Sequence, residues 1–313
     1  MVTRGREGKR RAVIVAGPTA SGKSALAMEI AREFDGVVIN ADSMQVYAEL
    51  RVLTARPTKE DEAAVPHRLY GVWPAREHGT VGRWRAAALA EIDAANDAGK
   101  LAIVCGGTGM YLKILVEGLS AVPPVPEDVR AEARAKLAAL GNEGFHADLA
   151  RRDPVAGAKL RPADTQRLLR AWEVVVATGV PLSAHQAADP PRPADWPTLL
   201  LLPPRGPQVA AIDARAARMV EEGALDEVRG LLAQGLSDEL PAMRALGVRE
   251  LAAHISGSCD LPSAVKALQI ATRQFAKRQN TWFRGQMQKA QTFHTKFSES
   301  LMPEIRTFIK EIR

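Results

Sequence analysis

Eight residues, Gly17-Pro18-Thr19-Ala20-Ser21-Gly22-Lys23-Ser24, satisfy every fixed position of the pattern G-x-x-x-x-G-K-[ST]. Before them, Arg11-Ala12-Val13-Ile14-Val15-Ala16 is the short β-branched apolar run of a buried strand. After them, residues 25–34 place apolar side chains at helical spacing. A strand, a glycine-rich turn and a helix N-terminus aim backbone N–H groups at one point. The helix dipole adds partial positive charge there, and Lys23 adds a full one. Ser24 is placed to offer its hydroxyl to a phosphate-bound Mg²⁺. The turn therefore predicts an α/β chain with a P-loop, binding a polyphosphate.

The 313 residues suffice for one large domain or two ordinary ones, and 46% hydrophobic with 25% charged residues is a globular composition. Cys105 and Cys259 are far apart and lack a C-x-x-C partner, which argues against a disulfide framework or zinc site and fits a reducing cytoplasm. No apolar run approaches the ~20 residues of a membrane span, and no signal-peptide segment is expected. The net charge of +6 permits an acidic partner. Arg4, Arg6, Lys9, Arg10 and Arg11 against Glu7 read as a solvated tail or an RNA-touching arm.

Val37-Val38-Ile39-Asn40 reads as the second strand, emptying into Ala41-Asp42-Ser43-Met44-Gln45-Val46-Tyr47. Ligands of a parallel sheet sit beyond the carboxyl ends of its strands. Asp42 thus falls near the phosphates, or else caps a following helix. Thr54-Ala55-Arg56-Pro57-Thr58 and Pro66-His67-Arg68 are loop-like, with His67 expected to be structural. A helix is predicted over 81–98 and a buried strand over 101–105. The strand ends in Gly106-Gly107-Thr108-Gly109-Met110-Tyr111, whose glycines make a tight turn or admit a ligand close to the backbone.

Composition changes at Ala121-Val122-Pro123-Pro124-Val125-Pro126. From there the pattern is helical over 127–140, 145–152 and 162–178, until Pro190-Pro191-Arg192-Pro193 closes the segment and 198–202 restores a strand. The expected organisation is a first core part at 1–118, a helical insertion at 119–196, and a second core part at 197–313. Within the insertion, Arg167 and Arg170 share a helix face that is either solvated, paired with Asp164 and Glu173, or turned to an anion. Helices follow over 207–221 and 224–234, then a segment over 241–255 holding Arg244 and Arg249. A last long helix over 262–287 carries Lys266, Arg273, Lys277, Arg278 and Arg284 and no acid. Arg273, Lys277 and Arg284 lie near one face, interleaved with Phe275, Trp282 and Phe283, and the single sign points to a phosphate backbone.

Taken in order, these pieces resemble the tRNA dimethylallyltransferases, also called tRNA isopentenyltransferases. The carriers are 17–24, Ala41 to Tyr47, Thr54 to Thr58, Val65-Pro66-His67, Gly106 to Tyr111, Gln166-Arg167-Leu168-Leu169-Arg170, and Ala276-Lys277-Arg278-Gln279-Asn280-Thr281-Trp282-Phe283-Arg284. The chain departs from the family where Gly247-Val248 replaces Gly-Tyr, removing a Tyr contact near the RNA, and where Val52-Leu53 replaces Ile-Gly. The resemblance implies transfer of a dimethylallyl group from its diphosphate to N6 of the adenosine 3′-adjacent to the anticodon, with Mg²⁺ at Ser24; a cytoplasmic monomer is the accompanying expectation. The resemblance also implies diphosphate contacts from Gly17, Pro18, Thr19, Ala20, Ser21, Gly22, Lys23, Ser24 and Arg215. Catalysis would fall to Asp42, Lys23, Thr19 and Arg215. The anticodon stem-loop would meet Asp42, Ser43, Met44, Gln45, Thr108, Arg130, Gln166, Arg167, Leu168, Leu169, Arg170, Arg244, Arg249, Arg273, Lys277, Arg278 and Arg284.

The chemistry fits these assignments. A diphosphate leaves only when its charge is neutralised, and an exocyclic amine attacks more readily with a carboxylate to take its proton, the role given to Asp42. The adenine must be flipped out of its stack to reach that carboxylate, and a hinged helical insertion could clamp the anticodon arm outside. The alternatives are a P-loop small-molecule kinase, with Asp42 on Mg²⁺ or a hydroxyl, and a nucleotide-dependent RNA-binding switch without chemistry. Against an NTPase, 101–107 lacks an acid for Mg²⁺.

Overall fold

The runs Ala12-Val13-Ile14-Val15-Ala16 and Gly36-Val37-Val38-Ile39-Asn40 are rich in β-branched residues and buried throughout, as the central strands of a parallel sheet demand. In the computed structural model, which describes residues 10–187 and 196–311, six parallel strands form one sheet. They are β1 (Ala12–Ala16), β2 (Gly36–Asn40), β3 (His67–Arg68), β4 (Leu101–Gly106), β5 (Thr198–Leu201) and β6 (Gln291–Phe293), in the order β3-β2-β4-β1-β5-β6. Alternation along β1 sends Val13 and Val15 to one face with Ile103, Leu199 and the P-loop helix Lys23–Phe34. Ile14 goes to the other with Ile39, Val104 and Trp84 of the helix Val81–Asp97. Each fully buried side chain of this kind contributes roughly 1.5–3 kcal/mol.

The chain divides into two compact units, Met1–Val116 with Pro193–Arg313, and Glu117–Arg192. The second unit is all helix among its described residues: Glu127–Arg152, Pro154–Lys159, Thr165–Thr178 and Leu182–Ala187. Its first helix is interrupted at Gly141, where φ is 63°, which accounts for the gap in periodicity between 140 and 145. Phe145, Leu149, Leu168 and Trp172 make its own core.

Several sequence expectations need correcting. Trp196 belongs to the core unit and not to the insertion: it is buried with Leu200 and donates its indole N–H to the Arg10 carbonyl at 3.0 Å. The segment 54–68 is more than loop, because Thr58 and Asp61 form a capping box on a helix, Lys59–Ala64, and His67 and Arg68 pair with β2. The 241–255 segment splits into a 3₁₀ turn, Pro241–Arg244, and a helix, Val248–Ile255. β6 and the helix Met302–Lys310 were not read from sequence. The tail residues Arg4, Arg6, Glu7 and Lys9, and the hinge prolines Pro190, Pro191 and Pro193, lie outside the described residues. Among the described residues no helix is long and apolar enough to cross a membrane.

Candidate active site

The P-loop turns through two left-handed residues, Ala20 at φ 62° and Gly22 at φ 88°, before entering its helix. Such backbone turns N–H groups inward and makes an anion nest, with Gly22 supplying the conformation most side chains resist. Among the described residues Lys23 makes no ion pair; its ammonium lies 3.5 Å from the Pro18 carbonyl of its own loop. Burial lowers the Lys23 pKa, opposed by the nearby Cys105 and Asp42 and reinforced by Arg215. Arg215 donates to the Thr19 hydroxyl at 2.6 Å, and burial lowers its pKa too while Asp42 pulls it back up.

Asp42 follows β2 directly. No helix begins there, so the capping reading is overturned; the chain instead makes a turn in which Asp42 Oδ1 accepts the Met44 N–H at 2.9 Å. The residue is held from both sides by fully buried Asn40, whose Oδ1 accepts the Asp42 N–H at 2.7 Å and whose amide donates to the Asp42 carbonyl at 3.0 Å. Asp42 Oδ2 has no protein partner among the described residues, and Asp42 lines the cavity.

That cavity, about 520 Å³, joins three kinds of wall. One is the loop 19–24 with Arg215. A second is Asp42 with Ser43, Met44 and Gln45. The third is apolar: Leu53, Ile212, Ala216, Met219, Leu268 and Phe275. Ser24 opens on the same space. His67 plays no part here: its Nδ1 lies 2.8 Å from the Val65 carbonyl, and burial lowers its pKa.

Residues overlooked in the sequence hold this arrangement together. Gln279, buried on the long basic helix Leu261–Gln286, accepts the Thr19 N–H at 2.8 Å and donates to the Gly107 carbonyl at 2.8 Å. A Cβ on Gly107 would stand 2.6 Å from the Gln279 amide nitrogen, so glycine lets the two approach. Gln208 donates to the Thr19 carbonyl at 3.0 Å and accepts from Asn280 at 2.9 Å. A signal existed: Thr272, Ala276, Gln279 and Phe283 share one buried stripe, and a glutamine on an apolar stripe announces a buried hydrogen bond. Lys296, on the segment after β6, also lines the cavity.

The sequence signature of the family described as IPP transferase matches residues 45–286. The chain belongs to the IPP transferase family. It is 55% identical over 287 residues to a tRNA dimethylallyltransferase of Rhodospirillum centenum, covering 91% of each chain, and 52% identical over 304 residues to that of Rhodospirillum rubrum, covering 95% of this chain and 93% of the relative. Its structure is similar to the full-length tRNA isopentenylpyrophosphate transferase of Bacillus halodurans, at TM-score 0.70 and 30% identity over 97% of this chain and 96% of that one. The chain also matches in fold a eukaryotic dimethylallyltransferase acting on tRNA, at TM-score 0.82 and 24% identity over 98% of this chain and 81% of that one.

Of the residues of this IPP transferase expected to meet diphosphate, Thr19 to Ser24 and Arg215 line the cavity while Gly17 and Pro18 do not; of those expected to meet RNA, Asp42 to Gln45, Arg244 and Arg278 line it and the others lie elsewhere. Thr108 donates to the Ser43 hydroxyl at 3.3 Å and accepts the Ser43 N–H at 3.0 Å, so it braces the Asp42 turn. Leu168 is fully buried and Leu169 partly so in the core of the helical unit, so their side chains serve packing. Arg273 is ion-paired with Asp213 at 2.9 Å, a partner invisible along its own helix. Phe283 is buried in the core and not interleaved with the basic stripe. Lys277, Arg278 and Arg284 are exposed, as are Arg244 and Arg249. In the helical unit Arg130, Gln166 and Arg167 are exposed and Arg170 half-buried beside Glu173.

Proposed function

We propose that this chain transfers the dimethylallyl group of dimethylallyl diphosphate to N6 of the adenosine 3′-adjacent to the anticodon, tRNA position 37, giving N6-isopentenyladenosine and diphosphate. One observation carries the reading: a single cavity joins a P-loop, an apolar wall and one carboxylate. The P-loop amides, Lys23 and Arg215 take the charge of the departing diphosphate as the allylic C–O bond breaks. Leu53, Met219, Leu268 and Phe275 shelter the hydrocarbon. The N6–carbon bond forms on the opposite side, and Asp42 Oδ2 accepts the N6 proton. Asn40 and Thr108 hold the turn that carries Asp42 at the cavity wall.

The donor set suits a Mg²⁺ carried in by the diphosphate. Among the described residues no cluster of three His, Cys, Asp or Glu could hold a metal, so the ion would rest on phosphate oxygens with the Ser24 hydroxyl as the protein's contribution. Bound there, it supplies further charge neutralisation on the leaving group. Exposed Lys277, Arg278 and Arg284, with Arg130, Arg167 and Arg170 of the helical unit, are the groups we assign to the phosphates of the anticodon arm.

The kinase reading has no use for the apolar wall and lacks a second acid at the end of β4. The RNA-switch reading leaves Asp42 Oδ2 without a task. Incubation with isotopically labelled dimethylallyl diphosphate and bulk tRNA, followed by nuclease digestion, tests the proposal. Label on N6 of adenosine is the expected result. Transfer of an ATP γ-phosphate to a metabolite, with dimethylallyl diphosphate ignored, would overturn it.

A further inference from the structure

The cavity is lined by Lys23, Arg215, Arg218, Arg244, Arg278 and Lys296 against one carboxylate, Asp42. Three of these cations have other contacts or tasks: Arg218 lies 3.7 Å from Glu222, Arg244 donates to the Asp238 carbonyl at 3.0 Å, and Arg278, over the Phe275 ring, is assigned above to the anticodon arm. Lys23 and Arg215 belong to the phosphate site already described. Lys296 is left, with no ion pair among the described residues.

Its position is fixed by the chain around it. Phe293 ends β6 and is buried, its carbonyl accepting the Leu202 N–H at 2.9 Å. Phe297 and Leu301 pack against the same face of the sheet as the helix Met302–Lys310. Between these anchors the segment crosses the P-loop. The Phe297 N–H donates to the Ser21 carbonyl at 3.3 Å, and Lys296 Cγ passes 3.4 Å from the point a Cβ would occupy on Gly22. A lysine whose stem lies over Gly22, beside Lys23, has its ammonium within reach of an anion in the loop and no carboxylate paired with it among the described residues.

We propose that Lys296 is a diphosphate-binding residue, a second lysine delivered to the P-loop from the far end of the chain. The inference rests on the reaction proposed above. Its ammonium meets the terminal phosphate and offsets charge that grows as the diphosphate departs.

Two variants separate charge from packing: Lys296→Met keeps the aliphatic stem over Gly22, and Lys296→Arg keeps the charge. Steady-state transfer is measured with labelled dimethylallyl diphosphate and tRNA, with inorganic pyrophosphate as competing inhibitor. For Lys296→Met the KM for the diphosphate and the inhibition constant of pyrophosphate should each rise by about tenfold, the weight of one charge-assisted contact. The KM for tRNA should stay within about twofold, and Lys296→Arg should recover most of the loss. Unchanged pyrophosphate inhibition in Lys296→Met, or a rise confined to the KM for tRNA, overturns the assignment while leaving the reaction standing. A wild-type protein that labels no tRNA overturns the reaction itself, and this inference with it.

Discussion

Two carboxylates in this chain sit among cations, and they are treated in opposite ways. Asp148, in the helical unit, is 6% exposed and saturated: Lys136 lies at 2.9 Å, Arg151 at 2.9 Å, Arg152 at 3.3 Å, and the Trp172 indole donates at 2.7 Å. Burial pushes its pKa up, but these four donors outweigh burial and hold it well below the usual carboxylate range. Asp42, in the core unit, spends one oxygen on a backbone turn and keeps the other for the cavity, near Lys23 and Arg215, which do not pair with it. A charge that serves the fold collects its partners from the fold. A charge that serves chemistry is held in place through its backbone, and its head group is left for what arrives.

Removing each head group should break the comparison along that line. Asp42→Ala is expected to lower turnover by about 10²–10⁴-fold, the range for a positioned general base, with both KM values within a few-fold of wild type. Turnover near wild type would reduce Asp42 to a turn residue. Asp148→Asn should leave transfer kinetics alone and lower stability by about 1–3 kcal/mol, because three cations lose their counter-charge and the Trp172 N–H loses its carboxylate acceptor. Chemical denaturation at neutral pH, followed by far-UV circular dichroism and total tryptophan fluorescence, measures that loss.

The depressed pKa of Asp148 sharpens the point through pH. Its folded value lies below the ordinary ~3.9, so ionised Asp148 contributes stability above that value and loses it as pH falls towards the folded pKa. The stability gap between wild type and Asp148→Asn should therefore shrink between pH 7 and pH 3. A gap that widens on acidification would mean the cluster is not ionised as described. The smallest expected effect concerns the basic helix. Lys277→Ala and Arg284→Ala should each lower the salt slope of tRNA binding by about one, and Arg273→Ala by less, since Asp213 already neutralises that guanidinium. Equal slopes for all three variants would show the Asp213 pair open in the complex.

The turn 17–24, the strands beside it and the helical insertion were legible because their signals are local: a spaced motif, runs of β-branched residues, a change of period between prolines. What escaped is non-local. Gln279 reaches the P-loop across 260 positions of sequence, and Asp213 lies 60 positions from Arg273. β6 is only three residues, Gln-Thr-Phe, and exists because β5 offers it an edge. Trp196 follows Pro190 to Pro193 and so reads as insertion, yet the core buries it. Lys296 is illegible in the sequence for the same reason: the segment acquires meaning only once β6 carries it over Gly22.

The central claim is that the free oxygen of Asp42 and the free cations of the P-loop serve one displacement. A single-turnover experiment, with protein in excess over labelled dimethylallyl diphosphate and tRNA present, measures both halves at once. One inorganic pyrophosphate should be released for each adenosine labelled at N6, with the two appearing at the same rate and ATP making no difference. Pyrophosphate release that outruns labelling, or release of phosphate from ATP in place of both, would contradict the account.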